Sequence, residues 1–148
     1  MMLDRVTEII RENDICVLAT AGADGPHTSL MAYAGSGDFR TIYLATPRNT
    51  RKYRNLCAQP RVSLMVDTRD EDPRGEVKAL TIAGCADEIR DDAEAAAVRN
   101  VLLGRHPQLQ SLLAQPDIAF IRVVIESVQM LSGPLEACYV RFPTGSEG

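Results

Sequence analysis

Residues 15–34 read ICVLATAGADGPHTSLMAYA. Ile15–Thr20 is a short apolar run rich in strand formers, and Gly22-Ala-Asp-Gly25-Pro26 is strong turn chemistry. The pattern predicts a strand, a tight turn and a return strand over His27–Ala34. GSGDF at 35–39 makes the next turn before a third strand, Arg40–Ala45. Upstream, Leu3, Val6, Ile9 and Ile10 recur with helical spacing, so residues 2–13 form an amphipathic helix with one face on the core. Downstream, Arg61–Asp67 alternates apolar and polar residues as a strand, TRDEDPRGE is a solvated charged turn, and Glu76–Ile89 is a long strand. Gly84 within it marks a bulge or a close approach. Asp91, Asp92 and Glu94 open a helix that runs to about Leu103, with Gly104 as its C-cap. Leu109–Ala114 adds a helical turn ended by Pro116. Ile118–Leu131 is a long strand that closes the sheet, Gly133-Pro134 turns the chain, Cys138–Phe142 is a short edge segment, and a tail from about 143 is mobile. About six antiparallel strands with short early hairpins and helices inserted later predict a mainly β fold with flanking helices, a small closed or partly closed barrel.

The composition bounds the function. A chain of 148 residues suits one domain, 1–148, and 45% hydrophobic with 24% charged residues is neither disordered nor membrane-like. The net charge of −4 argues against broad nucleic-acid binding, which needs an extended basic surface. Asp4, Glu8 and Glu12 interleave with the apolar residues of the N-terminus, unlike a signal peptide or a spanning segment, so a cytoplasmic location is expected. Cys16, Cys57, Cys85 and Cys138 are scattered and the chain has two histidines, which does not suit a zinc site. Reduced cysteines acting as small core residues are expected instead.

The stretch after the third strand, Thr46–Leu56, reads TPRNTRKYRNL and carries Arg48, Arg51, Lys52 and Arg54 with no acid among them. Asn49 or Thr50 can cap a helix there, Tyr53, Leu56 and Cys57 fall on one apolar stripe, and Pro60 stops the element. Helix first turns prefer acids, because their free N–H groups carry partial positive charge. Cations in that position make sense if an anion sits at the helix start, held by N–H groups, the Thr50 hydroxyl and the basic side chains. The alternative is that the long basic side chains simply solvate a surface helix. No P-loop pattern occurs.

With these pieces in order, the chain resembles the pyridoxamine 5′-phosphate oxidase-like family of FMN-binding split barrels. The resemblance rests on CVLATAGADGPHTSLMAYA, IYLATPRNTRKYRNL and PRVSLMVD, and covers the chain from the first helix to the last long strand. It implies a six-stranded antiparallel Greek-key split barrel that forms a homodimer, with FMN between the two barrels. It further implies that Thr50, Arg51 and Lys52 hold the flavin phosphate, that Ser29, Leu30 and Met31 contact the ring and ribityl groups, and that Thr46 contacts the ligand at the end of the third strand. Asn55 is a weaker candidate, and core packing is the alternative for Leu30 and Met31. A true pyridoxamine phosphate oxidase has an Arg on the second strand and a Lys soon after, where this chain has Ser29 and Ala34. The Arg-x-His-x-Arg substrate signature is also missing, since Arg141 stands without a nearby His. The expectation is therefore an FMN-dependent oxidoreductase acting on an unidentified small acceptor, with no catalytic side chain named and vitamin B6 oxidation not expected. A non-catalytic flavin-binding or redox-sensing module, or the same fold using F420 or haem, stays open; His27 and His106 offer few axial options for haem.

Overall fold

The computed structural model describes residues 2–68, 78–132 and 136–143. Along the chain these form α1 (Met2–Glu12), β1 (Ile15–Gly22), β2 (Gly25–Ala32), β3 (Ala34–Gly35), β4 (Thr41–Pro47), α2 (Arg51–Ala58), β5 (Arg61–Asp67), β6 (Lys78–Glu88), α3 (Asp92–Arg105), α4 (Gln110–Leu113), β7 (Ile118–Ser132) and β8 (Glu136–Arg141). The strands make one antiparallel sheet in the order β2-β1-β5-β6-β7-β4-β3, with β8 also paired to β7. Strands β5, β6 and β7 are consecutive neighbours and β4 lies beside β7, a Greek-key arrangement. The fold is mainly β with flanking helices and agrees with a split barrel.

The first and last strands of that order, β2 and β3, are separated in the chain by Tyr33 alone. Both edges of the sheet must therefore meet at this residue, and the sheet curls. Tyr33 holds the seam through three elements. Its N–H donates to Asp14 O at 2.9 Å, its hydroxyl donates to Ile10 O at 2.6 Å, and its carbonyl accepts from His106 Nε2 at 2.8 Å. A carbonyl can only accept, so Nε2 carries the His106 ring proton. The strand expected over His27–Ala34 is thus broken at Tyr33. Together with β8, which overlaps the edge segment expected over Cys138–Phe142 but begins and ends earlier, this raises the count from six expected strands to eight among the described residues.

Burial follows strand alternation. Leu18, Ile42, Leu44, Leu64, Leu80, Ile82 and Ile121 fill the barrel, and Val6, Ile9 and Ile10 of α1 join the same core. Strand β7 serves two cores: Ala119, Ile121 and Val123 point inward, while Ile118 and Phe120 pack outward under Val98 and Leu102 of α3. The inward phase then shifts to Val128 and Met130, because a bulge opposite Ala83 and Gly84 inserts Glu126. Gly84 fits the expectation of a close approach. A Cβ there would lie 2.7 Å from both Val123 Cγ1 and Val124 O.

Other expectations need correction. Helix α3 passes through Gly104 and ends at Arg105, with His106 as its cap. Pro107 explains this, because it disfavours helical geometry at the residue before it. The Arg105 guanidinium then donates to Arg11 O and Asn13 O, covering carbonyls at the end of α1. Among the cysteines only Cys16 is a buried core residue; Cys57 and Cys138 are exposed and Cys85 is half-buried. Most of the charged turn after Thr68, the Gly133-Pro134 turn and the tail from 144 lie outside the described residues. No described helix is long and apolar enough to cross a membrane.

Candidate functional site

Thr50 begins α2. Its extended backbone lets the side chain fold back, and Oγ1 accepts from Tyr53 N at 3.3 Å. The same hydroxyl donates to Pro47 O at 2.9 Å and lies 2.9 Å from Oγ1 of Thr46, which is buried at the end of β4. Of the two caps considered, Thr50 is the one used. Its hydroxyl proton is engaged, so joining a ligand would require it to turn away from Pro47 O.

The first turn of α2 contains no acid. The N–H groups of Arg51 and Lys52 have no intrahelical acceptor. The Arg51 guanidinium makes one long contact, to Asp24 O in the β1–β2 turn at 3.5 Å, and Lys52 has no acidic partner among the described residues. Asn55, one turn on, is buried and donates from Nδ2 to Thr20 Oγ1 at 3.1 Å, tying α2 to β1. Gly22 makes room for it, since a Cβ there would lie 2.0 Å from Asn55 Oδ1. Thr46, Thr50, Arg51, Lys52 and Asn55 therefore gather beside the β1–β2 hairpin.

The other two basic residues are accounted for differently. Arg54 donates to Asn49 O at 3.3 Å. Arg48 pairs with Glu88 at the end of β6, a carboxylate whose side chain is 4% exposed. Tyr53 donates its hydroxyl to the other oxygen of Glu88 at 2.6 Å, and Arg90 lies 3.6 Å from that oxygen. Burial alone would raise the Glu88 carboxyl, but the hydrogen bonds from Arg48 and Tyr53 and the charges of Arg48 and Arg90 together hold it below its usual range. The hydrogen bond to Glu88, followed by burial, pushes Tyr53 up to about 12. Glu88 was invisible as a partner in the sequence, where it stands 35 residues from Tyr53 with no motif joining them. The apolar stripe of α2 consists of Tyr53 and Leu56, with Cys57 exposed.

Ser29, Leu30 and Met31 lie along β2, an edge of the sheet order, and alternate between its faces. Ser29 is half-buried, paired with Leu18 on the barrel side, and Met31 packs in the core. Leu30 is 75% exposed on the outer face, so core packing does not explain it. It borders a cavity of about 340 Å³ with Ile15, Val17 and Met65. Thr20, the anchor of Asn55, pairs with His27. From there to Met31 is four residues, about 14 Å along the strand. One extended molecule could touch the α2 start and, through the free backbone edge of β2, all three residues.

The sequence matches the pyridoxamine 5′-phosphate oxidase family over residues 2–132. The chain belongs to this family. No curated protein sequence matches it. A heme binding protein from Mycobacterium smegmatis superimposes with a TM-score of 0.83 at 21% identity, over 95% of this chain and 58% of that one. The chain thus spans somewhat more than half the length of that protein. HutZ, a heme storage protein from Vibrio cholerae, gives a TM-score of 0.72 at 21% identity, over 88% of this chain and 93% of that one. A FAD-binding protein from Mesorhizobium loti gives 0.70 at 23% identity, over 85% and 91%. These likenesses establish the fold, within which some members bind flavin and others haem.

Proposed function

We propose that this member of the family binds FMN and works as an FMN-dependent oxidoreductase on a small acceptor. The observation that carries the reading is the start of α2, where two N–H groups lack a helical acceptor and Arg51 and Lys52 occupy a first turn that contains no acid. That donor set fits a phosphate dianion. Arg51 and Lys52 would hold the phosphate, with Thr50 shaping the turn and Thr46 supporting Thr50. Ser29, Leu30 and Met31 would line the ring end from the edge of β2. When bound, FMN supplies the electron transfer itself, and the protein fixes its position and the access to one face.

The same reading takes a second copy of the chain as partner. The strand register aligns Leu30, Val17, Met65, Thr81, Gln129 and Tyr139 in one row across the outer face of the sheet. Leu30, Met65 and Tyr139 in that row are exposed. A homodimer over this face would cover the apolar side chains and enclose the ring end of the ligand.

Flavin is preferred over haem because the buried ring of His106 already donates to Tyr33 O, leaving His27 as the axial candidate on β2. The visible spectrum of the purified protein separates the two, since a flavin and a Soret band are unmistakable. FMN should bind and be retained, and Arg51→Ala with Lys52→Ala should abolish retention while the thermal midpoint of the apoprotein holds. Unchanged FMN affinity in the double variant would place the phosphate elsewhere. Anaerobic mixing with NADH or NADPH then distinguishes an enzyme, whose flavin bleaches, from a carrier. Light scattering of the wild type and of Leu30→Glu tests the dimer, and a monomeric wild type would overturn it.

A further inference from the structure

Strand β2 turns Gly25, His27 and Ser29 to the barrel side, beside their register partners Gly22, Thr20 and Leu18 of β1. It ends the sheet order, so these residues have a strand neighbour on one side only, and His27 is half-buried. Helix α2 covers the β1 half of this hairpin. Asn55 fills the space over Gly22 and bonds to Thr20, whereas a Cβ at Gly25 would meet nothing within 4 Å. The start of β2 therefore borders open space beside the helix.

His27 is the next residue along that open side. Its pair Thr20 holds Asn55, one turn into α2, so the histidine stands beside the helix start. Its Nε2 is 3.5 Å from Ser29 Oγ, a long contact, and its Nδ1 has no partner among the described residues. No acid answers the basic groups here. Asp24, the acid of the hairpin, meets Arg51 through its carbonyl, and the first turn of α2 has none. Spacing along the strand then gives His27 its place on a ligand. Ser29 lies two residues on, about 7 Å, and Met31 four residues on, about 14 Å. A molecule with its ring at Met31 and its phosphate at the α2 start brings the phosphate end to His27.

We propose that His27 is a phosphate-binding residue, its imidazole N–H donating to the phosphate from β2 while Arg51 and Lys52 hold it from α2. This rests on the FMN reading above and adds a contact from a second element, so that the bound phosphate ties the hairpin to the helix. An imidazole N–H donates to a phosphate oxygen whether or not the ring is charged, and a charged ring strengthens the bond.

FMN and riboflavin, which differ only in the phosphate, are the probes, titrated into the protein by flavin fluorescence. His27→Leu removes the donor at similar volume and should weaken FMN about tenfold, while riboflavin changes by less than about twofold. His27→Arg should restore FMN to within about threefold of wild type, which a histidine with a merely structural role would not predict. In the wild type, where folding is not in question, the His27 ring proton resonances should shift on adding FMN and much less on adding riboflavin. FMN affinity unchanged in His27→Leu, riboflavin weakened as much as FMN, or His27 resonances indifferent to FMN would each overturn the assignment. Retention lost in Arg51→Ala with Lys52→Ala yet intact in His27→Leu would leave the phosphate on α2 and remove His27 alone from it. A wild type that binds no FMN would overturn both readings.

Discussion

Tyr53 donates its hydroxyl to Glu88 Oε1 at 2.6 Å, joining the first turn of α2 to the end of β6. The contact positions the candidate phosphate site, because α2 can shift relative to the sheet only by breaking it or the Asn55–Thr20 bond. It also carries a pH signature. Glu88 is held below its ordinary value of 4.5, so its contribution to stability is present above that pH and is lost as pH falls through the folded value. Tyr53 is raised from 10.0 to about 12, so its contribution is present below pH 10 and is lost as pH climbs through about 12. Glu88→Gln should cost about 2 kcal/mol at neutral pH, with the gap to wild type shrinking below pH 4.5. Thermal midpoints across pH check this; a gap that stays constant into acid would show that the carboxylate charge contributes nothing.

The seam residue gives a second prediction. Ile10 O belongs to the last turn of α1, where carbonyls lack helical partners, and the Tyr33 hydroxyl satisfies it in the buried interior. Tyr33→Phe removes that donor without changing shape and should destabilise the protein by about 2 kcal/mol. Urea unfolding at constant slope is the measurement. A loss under about 0.5 kcal/mol would mean that water reaches the Ile10 carbonyl and the seam is wet.

Much of this architecture was legible because it is written locally. Turn residues 22–26, the helical spacing of Leu3 to Ile10 and the β-branched run from Ile118 each state their element within a few positions. Gly84 was legible for the same reason, since a lone glycine in a strand marks the place where another backbone comes close. What escaped depends on distant residues. Nothing near Tyr33 says that the strand must break there; that follows from the meeting of the two sheet edges. The pairing of Arg48 with Glu88 likewise answers one of the four cations of the basic stretch from another strand, so part of what makes that stretch conspicuous is structural. At Gly104 two local signals competed, and the geometry imposed by Pro107 outweighed the freedom of glycine.

The cysteines differ enough to be told apart chemically. Burial pushes the Cys16 thiol up to about 12, leaving essentially no thiolate at neutral pH, whereas Cys57 and Cys138 are exposed. A thiol-reactive chromogen should label Cys57 and Cys138 quickly, Cys85 more slowly and Cys16 only on unfolding. Peptide mapping of the early product checks the order, and early modification of Cys16 would mean that the β1–β2 end of the barrel opens readily.

Thr50 separates the two roles that its position combines. As an N-cap it accepts from Tyr53 N, and aspartate caps as well as threonine or better. As a neighbour of a bound phosphate it should be uncharged, because a carboxylate there would face the ligand at hydrogen-bonding range. Thr50→Asp keeps the cap acceptor but loses the donor to Pro47 O, so the apoprotein should lose about 1 kcal/mol, while FMN should weaken by at least about tenfold. Thr50→Ser should preserve both properties, and Thr50→Ala should lose about 1 kcal/mol of stability. Fluorescence titration with FMN, beside denaturant melts of each apoprotein, reads the two effects separately. If Thr50→Asp binds FMN as tightly as wild type, no phosphate rests on this turn, and Arg51 and Lys52 are solvated cations on a surface helix.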